Sequence, residues 1–211
     1  PPPGYLSGAY EAARRAGAVV IADEVQVGLG RVGTHWWGFE VDGALPDIVT
    51  MGKPLGNGHP LGAVVTTRAV ADAFVNGMEY FNTFGGNPVS AAVGRAVLDA
   101  IEDEHLRERA ADLGGRFLTG LRELAARHEP IGDVRGLGLY LGVVLVQDRA
   151  TREPAPKLAT ALVEGAVARG ILLSVDGPAH DVIKIKPPLV IEAADIDRTI
   201  ETLDAILASL R

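Results

Sequence analysis

The chain has 211 residues, 47% of them hydrophobic and 22% charged, which is ordinary globular composition and enough for one or two sizeable cores. A net charge of −7 argues against a binder of phosphate backbones, so no nucleic-acid partner is expected, and zero cysteines exclude disulfides and thiolate metal sites. No apolar run approaches the length of a membrane span and no signal-peptide pattern is present, so a soluble, cytoplasmic protein without a membrane partner is expected. The opening Pro1-Pro2-Pro3-Gly4, without an initiator methionine, fits a piece of a longer chain.

In chain order, Tyr5 to Ala16 reads as a helix ended by Gly17, and Ala18 to Ala22 as a fully buried strand. Gly28 to Gly43 is a loop rich in glycine and aromatics, followed by strands at Ile48 to Met51 and Gly62 to Thr67 and a helix at Ala69 to Val75. Helical spacing recurs from Pro88 to Glu102 and from His105 to His128, where Leu106, Ala110, Leu113, Phe117, Leu121 and Leu124 form one stripe. A strand is expected at Gly138 to Val146, a polar linker at Gln147 to Pro156, and a helix at Pro156 to Arg169. Short strands at Ile171 to Ser174 and Val182 to Ile185 and a terminal helix at Ala194 to Leu210 complete the chain.

Two residue types carry chemistry. Of the 20 basic residues only Lys53, Lys157, Lys184 and Lys186 are lysines. Lys53 ends the run Asp47-Ile48-Val49-Thr50-Met51-Gly52, where an ammonium is expected to be poorly solvated. A neutral lysine amine can form an imine and arginine cannot, so its position suggests covalent chemistry. The first strand delivers two acids, Asp23 and Glu24, at its carboxyl end, where open α/β sheets place ligands. A strand-end acid and a strand-end lysine together suggest a pyridoxal phosphate site, because a carboxylate bonded to the ring nitrogen keeps that nitrogen protonated and the ring electron-withdrawing. Taken singly, Asp23 reads equally as a turn cap, Glu24 as a buried ion-pair partner and Lys53 as a surface lysine. The five histidines share no metal-ligand spacing, so no metal is expected.

Asp23-Glu24-Val25-Gln26, Gly28-Leu29-Gly30-Arg31, Met51-Gly52-Lys53 and Asn82-Thr83-Phe84-Gly85-Gly86-Asn87-Pro88 stand in an order and spacing that resemble the class III (ω) aminotransferases, fold type I pyridoxal phosphate enzymes. The resemblance spans essentially the whole chain but only the second half of a family member. It implies an α/β fold in which residues 1–95 are the C-terminal part of the cofactor-binding large domain and residues 96–211 are interdomain helices and a small α+β domain. It further implies pyridoxal 5'-phosphate as cofactor, Lys53 as the Schiff-base lysine, Asp23 at the ring nitrogen, Gln26 at the ring hydroxyl and Thr83 reaching the phosphate across a homodimer interface with shared active sites. Arg135, in Asp133-Val134-Arg135-Gly136, matches an arginine that pairs with a substrate carboxylate, so a small amine or amino acid is the expected substrate.

Gly28-Leu29-Gly30-Arg31-Val32-Gly33 also satisfies a dinucleotide fingerprint, yet His35-Trp36-Trp37-Gly38 does not begin a convincing helix, which argues against that use. The stretches Gly52 to Pro60, Gly77 to Thr83 and Leu172 to Pro188 look most like the phospho-lyase branch, which acts on ethanolamine phosphate or 5-phosphohydroxylysine, and next like the alanine–glyoxylate aminotransferases. Transamination is therefore the family-level expectation and phosphate elimination the alternative, with Lys184, Lys186 or an arginine as candidate cations for the expelled phosphate. A noncatalytic structural or interaction module is the reading from another class. Because the family's Gly-Ser phosphate loop and ring-stacking aromatic belong to its first half, the chain alone is expected to be inactive.

Overall fold

In the computed structural model, which describes residues 2–210, the first of two units runs to Arg107 and is built around a small sheet. Helix α1 (Tyr5–Arg15) precedes strand β1 (Ile21–Asp23), which runs parallel to β2 (Ile48–Met51); β3 (Ala63–Thr66) is antiparallel to β2 on its far side. The expectation of a fully buried first strand is corrected. Val20 and Ala22 are buried, but Val19 and Ile21 are 59% and 57% exposed, because successive side chains of a strand point to opposite faces and one face of this sheet is bare. Val64 and Val65 of β3 are likewise exposed.

The helices of this unit fall where the apolar spacing places them. α2 (Arg68–Phe74) is capped by the Thr67 hydroxyl, and α3 (Pro88–Asp103) by Asn87, whose Oδ1 accepts from the Val89 and Ser90 N–H groups at 2.9 and 3.2 Å. Pro88 occupies the first turn of α3, where no backbone donor is needed. α1 has no local cap. Its first N–H groups are taken by the carboxylate of Asp42, which accepts from Gly4 at 2.6 Å, Leu6 at 2.8 Å and Ser7 at 3.3 Å. These bonds, that from Gly4 first, hold the Asp42 carboxyl below the usual range.

The second unit begins at Glu108. α4 (Leu106–Arg127) carries the stripe read from the sequence, and Ala110, Phe117, Leu121 and Leu124 are almost wholly buried. Strands β4 (Ile131–Leu137), β5 (Tyr140–Asp148), β7 (Ser174–Asp176) and β8 (Val182–Ile185) form an antiparallel sheet in the order β4-β5-β8-β7, with β6 (Glu153–Pro154) paired to β5. α5 (Pro156–Val167) and α6 (Ala193–Ser209) supply Ala159, Leu162, Ile196, Leu203 and Ile206 to one core with Leu145 and Ile183 of the sheet. Gly114 of α4 approaches Gly138 so closely that a Cβ there would lie 2.2 Å from the Gly138 carbonyl oxygen.

Three expectations change in this unit. β4 has no counterpart in the sequence reading, and Gly138 lies in the turn between β4 and β5 rather than at a strand start. The strand expected at Ile171 to Ser174 lies at Ser174–Asp176 instead, because Ile171 and Leu173 pack against the core while β7 bonds to β8. The expected linker at Gln147 to Pro156 is a hairpin: Asp148 Oδ1 accepts from Ala150 and Thr151 N–H at 2.8 Å, and β6 turns back onto β5. Among the described residues no helix is long and apolar enough to cross a membrane.

Candidate active site

Parallel pairing of β1 and β2 sets two carboxyl ends side by side. Asp23 stands opposite Thr50, and the Glu24 N–H donates to the Thr50 carbonyl at 2.9 Å, carrying the ladder one residue beyond the strand. Asp23 Oδ1 accepts from the Val25 N–H at 3.1 Å and the Thr50 hydroxyl at 3.4 Å. Lys53 follows Thr50 after Met51 and Gly52, so the carboxylate and the amine lie at neighbouring strand ends, the position open α/β sheets use for ligands. Neither side chain has an ion-pair partner among the described residues.

Lys53 has φ 33°, in the left-handed region that side-chain-bearing residues avoid, and it opens a short 3₁₀ turn, Lys53–Gly56. Strained backbone of this kind persists only where the surroundings impose it, and it gathers at functional sites. Here Leu55 and Gly56 are buried beneath it. His59 Nε2 and Ser90 Oγ of α3 hydrogen-bond at 2.8 Å, and a Cβ on Gly94 of α3 would lie 2.7 Å from Leu61. The loop after Lys53 is thus bolted to a helix. The expected desolvation of Lys53 is corrected: the residue is exposed, because β2 is only half-buried in a three-stranded sheet with a bare face.

Glu24 is buried, 5% exposed, and is no ion-pair partner. Its carboxylate accepts the backbone N–H of Gly38 at 2.8 Å and of Phe39 at 2.9 Å. Burial pushes its carboxyl up and outweighs the two hydrogen bonds that pull it down, and the nearby Glu40 and Asp23 add to the rise. The Gly28 N–H donates to the Glu24 carbonyl at 3.1 Å, closing a turn over the half-buried Gln26. The glycines of the dinucleotide-like fingerprint therefore lie in turns, and the chain after them folds into a 3₁₀ turn, Gly38–Asp42, rather than an α-helix.

Thr83 is exposed in the segment before α3, inside a turn where Asn82 Oδ1 accepts from the Phe84 and Gly85 N–H groups at 3.2 and 3.0 Å. Met78, Tyr80, Phe81 and Phe84 around it are all exposed. Arg135 belongs to the second unit, on β4, where its exposed guanidinium pairs with Asp133 at 3.3 Å. Lys184 donates to Asp176 at 2.5 Å, so that cation is already paired. The structure thus brings Asp23, Gln26 and Lys53 to one sheet end and leaves Thr83 on an outlying loop of the same unit.

Sequence reasoning missed three long-range clasps: Glu24 on Gly38 and Phe39, Asp42 on α1, and Arg149, whose guanidinium donates to carbonyls of Ala125, His128, Glu129 and Ile131 from the last turn of α4 to the start of β4. The signal for the last was a basic residue in the stretch read as a linker. Nothing local in the sequence marked the other two.

An exposed lysine and a carboxylate, neither with an ion-pair partner among the described residues, lie at adjacent ends of parallel strands, the place where open α/β sheets hold ligands. The class-III aminotransferase family model matches residues 1–207, and the chain belongs to that family. It is 51% identical over 93% of its length to the alanine–glyoxylate aminotransferase 2-like protein of Drosophila melanogaster and 46% identical over 98% to ethanolamine-phosphate phospho-lyase homolog 1 of Caenorhabditis elegans. It spans 40% and 45% of those two relatives. Among solved structures, an Arthrobacter phospholyase in complex with phosphoethanolamine matches the whole chain at 44% identity and TM-score 0.95, over 50% of its own length. A Bacillus anthracis aminotransferase matches 98% of the chain at 34% identity and TM-score 0.90, over 48% of its own length. The expected fold class, the C-terminal part of the fold type I pyridoxal phosphate transferase large domain followed by a small α+β domain, is borne out, and pyridoxal phosphate is the family's cofactor.

The donor set fits that cofactor. Asp23 offers a carboxylate and Lys53 an amine at adjacent strand ends, neither with an ion-pair partner among the described residues, and Thr83 offers an exposed hydroxyl apart from them, groups of the kinds that such a cofactor takes.

Proposed function

We propose that the whole protein is a pyridoxal-phosphate-dependent enzyme of the aminotransferase family acting on a small amine or amino acid, and that this chain contributes its lysine and ring-nitrogen partner. The observation that carries the reading is the pairing of Asp23 with Thr50 across parallel strands, which sets the Asp23 carboxylate beside the strand that leads to Lys53. When bound, the cofactor withdraws electrons from the carbon that bears the substrate's amine. Asp23 would hold the proton on the ring nitrogen, and Gln26 would orient the ring through its hydroxyl. Lys53 would hold the cofactor through its amine and, once the substrate's amine has displaced it, would take and return the proton at the substrate's α-carbon. Arg135 pairs with a substrate carboxylate, its planar fork suiting two oxygens.

Within this reading residues 1–95 complete the large domain and residues 96–211 are the interdomain helices and small domain. Thr83, on a loop whose apolar neighbours meet solvent, serves the phosphate of a second copy's site in a homodimer. A cytoplasmic location is part of this proposal; relatives from Arabidopsis thaliana and Homo sapiens are named as mitochondrial.

A second reading, elimination of phosphate from a phosphorylated amine, is supported by the solved structures, 44% identity to the phosphoethanolamine-bound phospholyase against 34% to the Bacillus aminotransferase, while the curated relatives order the other way, 46% for the phospho-lyase homolog against 51% for the aminotransferase 2-like protein. Borohydride reduction of the full-length protein with pyridoxal phosphate, followed by peptide mapping, tests the shared step. A phosphopyridoxyl group on Lys53 supports both readings, and its absence from folded protein overturns both. Release of inorganic phosphate from ethanolamine phosphate, against amino transfer to glyoxylate, then separates them.

A further inference from the structure

We propose that Glu24 is a positioning residue for the cofactor site: anchored to Gly38 and Phe39, it sets the orientation of Asp23. The proposal rests on the reading of Asp23 as the ring-nitrogen partner. Consecutive residues of an extended chain point to opposite sides, and here Asp23 is exposed while Glu24 is buried. One acid therefore faces the site and its neighbour points into the protein.

Glu24 is held from three directions. Its N–H donates to the Thr50 carbonyl, its own carbonyl accepts from Gly28, and its carboxylate accepts from Gly38 and Phe39. The neighbouring glycines make this cradle possible. A Cβ on Gly38 would lie 2.6 Å from Val27 Cγ1 and 3.3 and 3.4 Å from the two Glu24 carboxylate oxygens. A Cβ on Gly28 would lie 2.7 Å from the Trp37 ring and 3.0 Å from the Glu24 carbonyl oxygen. A carboxylate buried away from any cation is costly unless hydrogen-bonded, and these two N–H groups are what it receives. Rotation of the Glu24 backbone would have to break them, so the peptide that also carries Asp23 is held in place. Preorganisation of a ligand's partner by a fixed neighbour is how tight sites are commonly supported.

The test uses the full-length protein with pyridoxal phosphate and the variants Glu24→Gln, Asp23→Asn and their combination, reading the cofactor dissociation constant and the absorption spectrum of the bound cofactor. Gln keeps the shape of Glu24 but turns an N–H₂ toward one of the two donors. Glu24→Gln is expected to weaken cofactor binding about tenfold and to shift the spectrum, a size typical of losing a residue that orients a ligand's partner. In the Asp23→Asn background the same change is expected to cost less than about threefold, because a residue acting through Asp23 loses its effect with it. Full additivity of the two changes, or binding by Glu24→Gln within about twofold of the parent, overturns the proposal. An unchanged constant and spectrum in Asp23→Asn alone would instead overturn the assignment of Asp23, and the proposal with it. Should Glu24→Gln fail to fold, Glu24→Asp, which keeps the charge but shortens the reach, carries the same comparison with the same expected coupling.

Discussion

The two units bury their apolar residues to very different degrees. The principal core cluster lies wholly in the unit that begins at Glu108, where Phe117, Leu124, Leu145, Leu162, Ile183 and Ile196 are between 0% and 1% exposed. The unit before it leaves Met78, Phe81 and Phe84 more than three-quarters exposed, together with the valines of β3 and two positions before and within β1. Large apolar patches on a protein surface mark faces made to be covered. Lys53, Asp23, Gln26 and Thr83 all belong to that uncovered unit. Under the proposed reading, the part of the molecule that does the chemistry is the part that cannot complete its own core, because its walls come from other segments and another copy. Of the expected site residues, only Arg135 lies in the unit with the finished core.

This contrast can be broken at four points. The largest effect is expected from Lys53→Arg in the full-length enzyme, which keeps the charge and removes the nucleophile; turnover should fall at least about a thousandfold. Steady-state kinetics that retained a tenth of the parental rate would remove Lys53 from the chemistry. The next tests the burial contrast itself in the 211-residue chain. Leu124→Ala should cost about 2–5 kcal/mol in urea unfolding, whereas Val64→Ala, at a 66% exposed position, should stay within about 0.5 kcal/mol. Equal losses would mean that β3 is as well packed as α4.

Arg135→Ala sharpens the contrast, since the arginine is exposed and its pair with Asp133 is worth little to stability. The expected result is a KM raised about tenfold for a carboxylate-bearing substrate with kcat nearly unchanged, and no change in unfolding midpoint. The smallest effect concerns Asp204 of α6. The hydrogen bond from the buried His128, with Arg127 close by at 2.9 Å, holds its carboxyl below the ordinary value. A group depressed in the folded state stabilises above its unfolded value, about pH 3.9, and loses that contribution as pH falls through the folded value. Because Asp204 is 40% exposed, the contribution is discounted to less than about 1 kcal/mol. Thermal melts of the parent and Asp204→Asn should differ slightly at pH 7 and converge below about pH 4; a gap that widens on acidification would contradict the assignment.

Amphipathic helices were legible because their periodicity is local. α1, α3, α4, α5 and α6 lie within a residue or two of where apolar spacing puts them. Strands were read less well. Gly132, Asp133, Arg135 and Gly136 interrupt any alternation in β4, which exists because its backbone pairs with β5 from Ile131 to Leu137. The apolar run Ile171-Leu172-Leu173 suggested a strand, yet two of its members pack on the core, Leu172 is 88% exposed, and the paired strand begins at Ser174. Among the candidate site residues, Lys53 could be named because lysine is rare in the chain and Asp23 because an acid closing an apolar strand is visible in one dimension. The roles of Glu24, Asp42 and Arg149 could not, since each acts on backbone groups far along the chain.

Short-range chemistry by itself determined the helices, the strand-end acid and lysine, the family, and hence the cofactor class. All of these depend on the identity and spacing of neighbouring residues. Only the tertiary structure decided that β1 and β2 run parallel with Asp23 opposite Thr50, that Lys53 is exposed on a left-handed backbone, and that Glu24 is a buried clasp rather than half of an ion pair. Those facts come from backbone hydrogen bonds and burial between distant segments, and an unpaired donor or a bare face is defined only by what the rest of the chain brings against it.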